Sequence, residues 1–282
     1  MILSDTQTAI AYDSEGSLSR ISEVFANLKR EGRKGFIPFI TAGDPDLDVT
    51  CDLMIELADA GASVIELGVP FSDPMADGPV IQRASERALK HGFGLDAVLQ
   101  TAAKARAKMN VPIVLFSYFN PLLQFGPESL ASEAKSAGID GVLVTDLSPE
   151  ESESFASNLR SKGVDLILLV APTTSDARLR MIAERASGFL YAVSRAGVTG
   201  AQREVSAEAE KLVRRVRNYS NLPVAVGFGI STPEQVADVW RYADAAVVGS
   251  AIVREIERAA GYADIVAGVG RFVRSITPRS FG

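Results

Sequence analysis

The sequence predicts an α/β fold, a single (β/α)8 TIM barrel with an extra N-terminal helix. Three observations point to it. Eight short apolar or β-branched runs alternate with longer amphipathic stretches along the chain. Several of these runs, such as Leu166-Ile167-Leu168-Leu169-Val170, are apolar without a break, as parallel strands covered on both faces are. One helix-to-strand junction also repeats. Residues 60–66 resemble residues 137–144, each passing a glycine stop into an apolar run, and residues 242–248 are a looser copy. A doubly wound open sheet is the alternative, but eight strands without a Gly-rich first turn favour closure.

In chain order, residues 1–16 are polar and acidic and carry no assigned role, and residues 17–31 are expected to form the leading helix. The strands are expected at Gly35–Thr41, Ser63–Gly68, Pro112–Tyr118, Gly141–Asp146, Asp165–Val170, Gly188–Val193, Pro223–Gly227 and Ala245–Gly249. Ser148-Pro149-Glu150-Glu151 has the order of a helix start: a capping residue, proline in the first turn, then acids. Thr232-Pro233-Glu234 repeats it, ahead of Val236, Val239 and Trp240 at the spacing of one helix face. No low-complexity linker divides the 282 residues, so one domain over 1–282 is expected.

Composition narrows the partners. The chain is 47% apolar and 23% charged with a net charge of −6, which disfavours nucleic acid and anionic membrane surfaces. No apolar stretch approaches the roughly 20 residues that span a bilayer, and the first residues lack the pattern of a signal peptide. A cytoplasmic protein is expected. Cys51 is the only cysteine and His91 the only histidine, so neither a disulfide nor a Cys/His metal site is expected. His91 reads as a surface residue near a helix end.

In a barrel the active site lies at the C-terminal ends of the strands. Gly227 and Gly229, followed by Gly249 and Ser250, fall after the last two strands. There the backbone can approach a ligand and a helix start offers free N–H groups, so a phosphate site is expected. Glu66 sits between Ile65 and Leu67 in a strand. Burial would raise its pKa and suit it to acid–base work, and the alternative is a structural carboxylate paired inside the barrel. Asp77 lies in the long loop 70–79, where on its own it reads as a turn or cap residue. No lysine stands at a strand end, which disfavours a Schiff-base aldolase, and no GxxxxGK[ST] motif is present.

Five stretches together resemble the tryptophan synthase alpha chain family: residues 38–45, 65–79, 191–200, 227–231 and 249–253. The resemblance implies retro-aldol cleavage of indole-3-glycerol phosphate to indole and glyceraldehyde-3-phosphate, in the last steps of tryptophan biosynthesis. It implies that Glu66 is the acid–base group and that Asp77 engages the indole nitrogen. The implied substrate-binding residues are Phe39, Tyr118, Tyr191, Thr199, Gly200, Gly227, Phe228, Gly229, Gly249 and Ser250. Of these, Gly200, Gly229, Gly249 and Ser250 would meet the phosphate, while Phe116 and Leu143 would wall the pocket. A β subunit carrying pyridoxal phosphate is the implied partner, in an α2β2 heterotetramer, with Pro70, Asp73 and Asn120 at the interface. No cofactor or metal is implied in this chain. A solitary lyase that releases free indole, a catalytically weak activating subunit and another phosphate-binding barrel are the competing readings.

Overall fold

The computed structural model describes residues 18–193, 202–227, 229–261 and 264–278, with 202–206 described by their backbone alone. Eight parallel strands close into a barrel in sequence order. They are β1 (Gly35–Thr41), β2 (Ile65–Gly68), β3 (Ile113–Ser117), β4 (Gly141–Val144), β5 (Asp165–Val170), β6 (Leu190–Val193), β7 (Val224–Gly227) and β8 (Ala245–Val248). The barrel closes through β1 and β8, where Gly35 pairs with Ala245 and Pro38 with Val248. All eight expected strands are present, and six are shorter than expected. Residues such as Tyr118 and Gly249 leave the ladder because they begin the loops and helices of the barrel mouth.

The helices are α1 (Arg20–Arg30), α2 (Leu47–Asp59), α3 (Pro79–Leu89), α4 (Leu95–Arg106), α5 (Phe119–Phe125), α6 (Pro127–Ser136), α7 (Glu153–Arg160), α8 (Asp176–Arg185), α9 (Gln202–Val216), α10 (Pro233–Trp240), α11 (Ser250–Ala259) and α12 (Ile265–Ile276). The leading helix is α1, capped by Ser19, whose Oγ accepts from the Ser22 N–H. Thr232 and Gln235 form a reciprocal capping box at the head of α10, as the local sequence suggests. The segment after Ser148 differs from expectation. Pro149–Glu151 form a 3-10 turn and α7 begins only at Glu153. Ser148 spends its hydroxyl on the Glu151 carboxylate, at 2.7 Å, rather than on the backbone.

Strand alternation sorts the core into two layers. Ile37, Val114, Leu143, Ile167, Ala225 and Val247 face the barrel interior, where Ile21, Phe25 and Leu28 of α1 join them. The alternate residues, such as Ile40, Leu67 and Leu115, pack outward against the helices. Two polar ties hold α1 at the closed end: Ser19 Oγ donates to Asp165 Oδ2 at 2.6 Å, and Arg20 pairs with Asp140 at 3.0 Å. With α1 sealing that end, the opposite mouth is where a ligand can enter. Among the described residues, no helix is long and apolar enough to cross a membrane.

Candidate active site

Glu66 is the buried carboxylate of β2. Its neighbours Ile65 and Leu67 take the outward positions, so strand alternation turns Glu66 inward. In the ladder it stands between Phe39 and Val114. Its side chain has no exposure, and neither carboxylate oxygen has a hydrogen-bond partner among the described residues. Burial without compensation pushes its pKa up to about 8. Such a group holds its proton at neutral pH. Tyr191, partly buried on β6, has its phenol pKa raised by burial of the hydroxyl and by the charge of Glu66. The structure thus places these two side chains in electrostatic reach of one another.

Asp77 owes its position to Tyr118. The loop after β2 turns at Pro74, whose carbonyl accepts from the Asp77 N–H at 3.0 Å. The Tyr118 hydroxyl accepts from the Ala76 N–H at 2.8 Å and donates to the Asp77 carboxylate. The ring of Phe71 covers that of Tyr118 at 5.1 Å. Burial lifts the Asp77 pKa to about 6, opposed by the bond from Tyr118, and the same surroundings push the Tyr118 phenol up to about 12. Asp77 therefore stays charged at neutral pH while Glu66 stays protonated. The two carboxyls thus differ in charge at neutral pH.

A narrow cleft opens between these elements, lined by Phe39, Thr41, Gly68, Asp77, Phe116 and Tyr118 among others. Phe39 and Phe116 meet edge to face at 5.2 Å, and a β-carbon on Gly68 would collide with the Phe39 ring. The walls are flat aromatic surfaces, suited to a planar apolar ring. Thr41 is a residue that sequence reasoning passed over. Its hydroxyl is buried beside the cleft without a hydrogen-bond partner among the described residues, and only its place at the end of β1 signalled it.

Of the expected phosphate residues, Gly249 and Ser250 form the start of α11, whose first-turn N–H groups point away from the helix. Gly229 adopts φ +68°, a conformation that favours glycine. Gly227 has a further reason to lack a side chain, because a β-carbon there would overlap the Tyr191 hydroxyl. Thr199, Gly200 and Phe228 lie outside the described residues. Leu143 faces the barrel interior, fully buried, and Phe116 packs against it and lines the cleft.

The three expected interface residues separate. Asp73 and Asn120 are exposed, whereas Pro70 is buried within the chain. Met75, in the Asp73 loop, is 93% exposed, and Leu123 on α5 is also exposed. His91 is exposed and its ring Nε2 lies 2.7 Å from the Pro45 carbonyl, outside the cleft. Cys51 is buried and free. Among the described residues, no cluster of His, Cys, Asp and Glu could hold a metal ion.

Known proteins share this architecture and sequence. A family model described as tryptophan synthase alpha chain matches residues 25–274. The tryptophan synthase alpha chain of Geobacter sp. (strain M21) is 49% identical over 259 residues, covering 92% of this chain and 97% of that relative. The crystal structure of tryptophan synthase subunit alpha from Legionella pneumophila superposes with a TM-score of 0.86 at 40% identity, covering 92% of this chain and 97% of that one. A chain of the tryptophan synthase a2b2 complex from Pyrococcus furiosus superposes with a TM-score of 0.80 at 39% identity, covering 86% and 97%.

Proposed function

The chain belongs to the tryptophan synthase alpha chain family, the part of tryptophan biosynthesis that cleaves indole-3-glycerol phosphate, and we propose that Glu66 and Asp77 carry out that cleavage here. Glu66 donates its proton to C3 of the indole, which turns the ring into an electron-poor iminium. Asp77 pairs with the ring nitrogen as it gains positive charge. The Glu66 carboxylate then takes the proton of the side-chain hydroxyl next to the ring. That oxygen becomes the aldehyde of glyceraldehyde-3-phosphate, the C–C bond breaks, and its electron pair returns to the ring as neutral indole. Glu66 ends protonated, as it began. The protonated ring is the electron sink, so neither a lysine nor a cofactor of this chain enters any step.

The observation that carries this reading is the isolation of Glu66, a carboxyl buried in the barrel with no hydrogen-bond partner among the described residues and a pKa near neutrality. The aromatic walls of Phe39 and Phe116 would hold the indole. Gly229, Gly249 and Ser250, with Gly200, would hold the phosphate by backbone donors, which suits a chain of net charge −6. Glu66→Gln keeps the shape and removes the proton, and should cost roughly 10²–10⁴-fold in indole release. Near-normal release by Glu66→Gln would overturn the assignment.

The Pyrococcus furiosus relative forms an a2b2 complex. We assign the same kind of partner to this chain, a pyridoxal-phosphate β subunit that takes up the indole, met through the exposed Asp73 and Asn120 at the barrel mouth. The complex would work in the cytoplasm. A cognate β subunit should raise the rate of indole-3-glycerol phosphate cleavage, and no stimulation would favour the solitary lyase.

A further inference from the structure

Two helices frame the cleft from one side. α3 begins two residues after Asp77, and α11 begins at Ser250. They meet over Phe39 through Ala84 and Val253, both without exposure, with Val80 and Ile81 packed alongside. Apolar packing of this kind excludes water but leaves helices free to slide by small shears.

A chain of ion pairs crosses the same seam. Arg87 of α3 binds both oxygens of Asp44, through Nε at 2.7 Å and Nη2 at 2.8 Å. Asp44 follows β1 and its side chain is only 1% exposed. The remaining Nη1 of Arg87 donates to Glu257 Oε1 of α11 at 2.8 Å. One turn earlier on α3, Arg83 donates to both Glu257 oxygens at 2.7 Å. These two arginines hold the Glu257 carboxyl down at about 2, so it is charged at every working pH. Two of the three contacts are bidentate, and such pairs fix orientation as well as distance.

We infer that Asp44, Arg87, Glu257 and Arg83 form an ionic clamp that sets the spacing between Asp77 and the phosphate seat at the start of α11. This rests on the reading above, in which those two points hold opposite ends of one substrate. The four are positioning residues, since none of them lines the cleft. Partly exposed ion pairs contribute little to stability, so the role of Glu257 and Arg83 is geometric. Asp44 differs, because removing Arg87 would strand a buried charge.

Glu257→Ala tests the clamp in the full-length chain, with Arg83→Gln as a second variant at a half-exposed position. Three affinities are measured by calorimetry beside kcat for indole-3-glycerol phosphate: glycerol-3-phosphate for one half of the site, indole for the other, and a non-cleavable indolylalkyl phosphate that spans both. The clamp predicts that each half-ligand binds within about twofold of wild type, while the spanning ligand and kcat each lose about tenfold, as a misplacement of a fraction of an ångström would cause. A spanning ligand that binds as in wild type, or weakens in step with the half-ligands, would overturn the clamp. A wild-type chain that releases no indole would overturn the site reading itself, and the clamp with it.

Discussion

The hydroxyl of Tyr191 occupies the place that a β-carbon on Gly227 would fill. β6 and β7 are paired neighbours, with Tyr191 opposite Ala225 and Val193 opposite Gly227. The large side chain leans over the small one, so the two positions form one packing unit beside the cleft. Gly227→Ala is expected to push the phenol aside and cost about 1–3 kcal/mol of stability, the range of overpacked cores. In a Tyr191→Phe background part of that overlap is gone, so the double variant should lose less than the sum of the singles. Thermal melts of the four proteins decide it, and strict additivity would mean that the two side chains do not compete.

The activity should follow a bell in pH. Proton donation needs Glu66 protonated, which holds below about 8. Stabilising the ring nitrogen needs Asp77 charged, which holds above about 6. kcat/KM for indole-3-glycerol phosphate should therefore rise through the lower value and fall through the upper one. Tyr118→Phe removes the hydrogen bond that lowers the Asp77 pKa, so the acid limb should move to higher pH while the basic limb stays. A profile whose acid limb ignores Tyr118 would detach Asp77 from it.

The same burial makes Glu66 a liability for folding at alkaline pH. In the folded chain it keeps its proton up to about pH 8, but unfolded it loses it near 4.5. Between those values the folded state binds more protons than the unfolded state, so stability falls as pH rises. Glu66→Gln carries no titrating proton. The melting temperature of wild type relative to Glu66→Gln should be highest near pH 4.5 and decline towards pH 8. Asp77 and Asp165, whose pKa values burial also raises, are common to both proteins and cancel. Parallel curves would show that Glu66 is ionised at neutral pH.

Asp73 is exposed in the loop that ends in Asp77. Asp73→Ala should leave the basal cleavage rate near that of wild type and blunt the stimulation given by a cognate β subunit. Equal loss of both rates would make the loop a lid that only shields substrate.

The barrel and Glu66 were legible in the sequence because both depend on periodicity. Eight apolar runs set apart by helical stretches define the strands, and a carboxylate between two outward apolar residues must face in. The rest depended on closure. Tyr118 reaches the Asp77 loop across a separation of 42 residues, and Arg87 reaches Asp44 across 43. Nothing local in either segment encodes the partner. Pro70 shows the same limit from the other side, since the resemblance implies a place at the partner interface while the folded loop buries it within this chain. Sequence period determines which face a side chain takes. The partner it finds there depends on which distant strand ends the closing barrel carries to the same mouth, and only the packed structure supplies that.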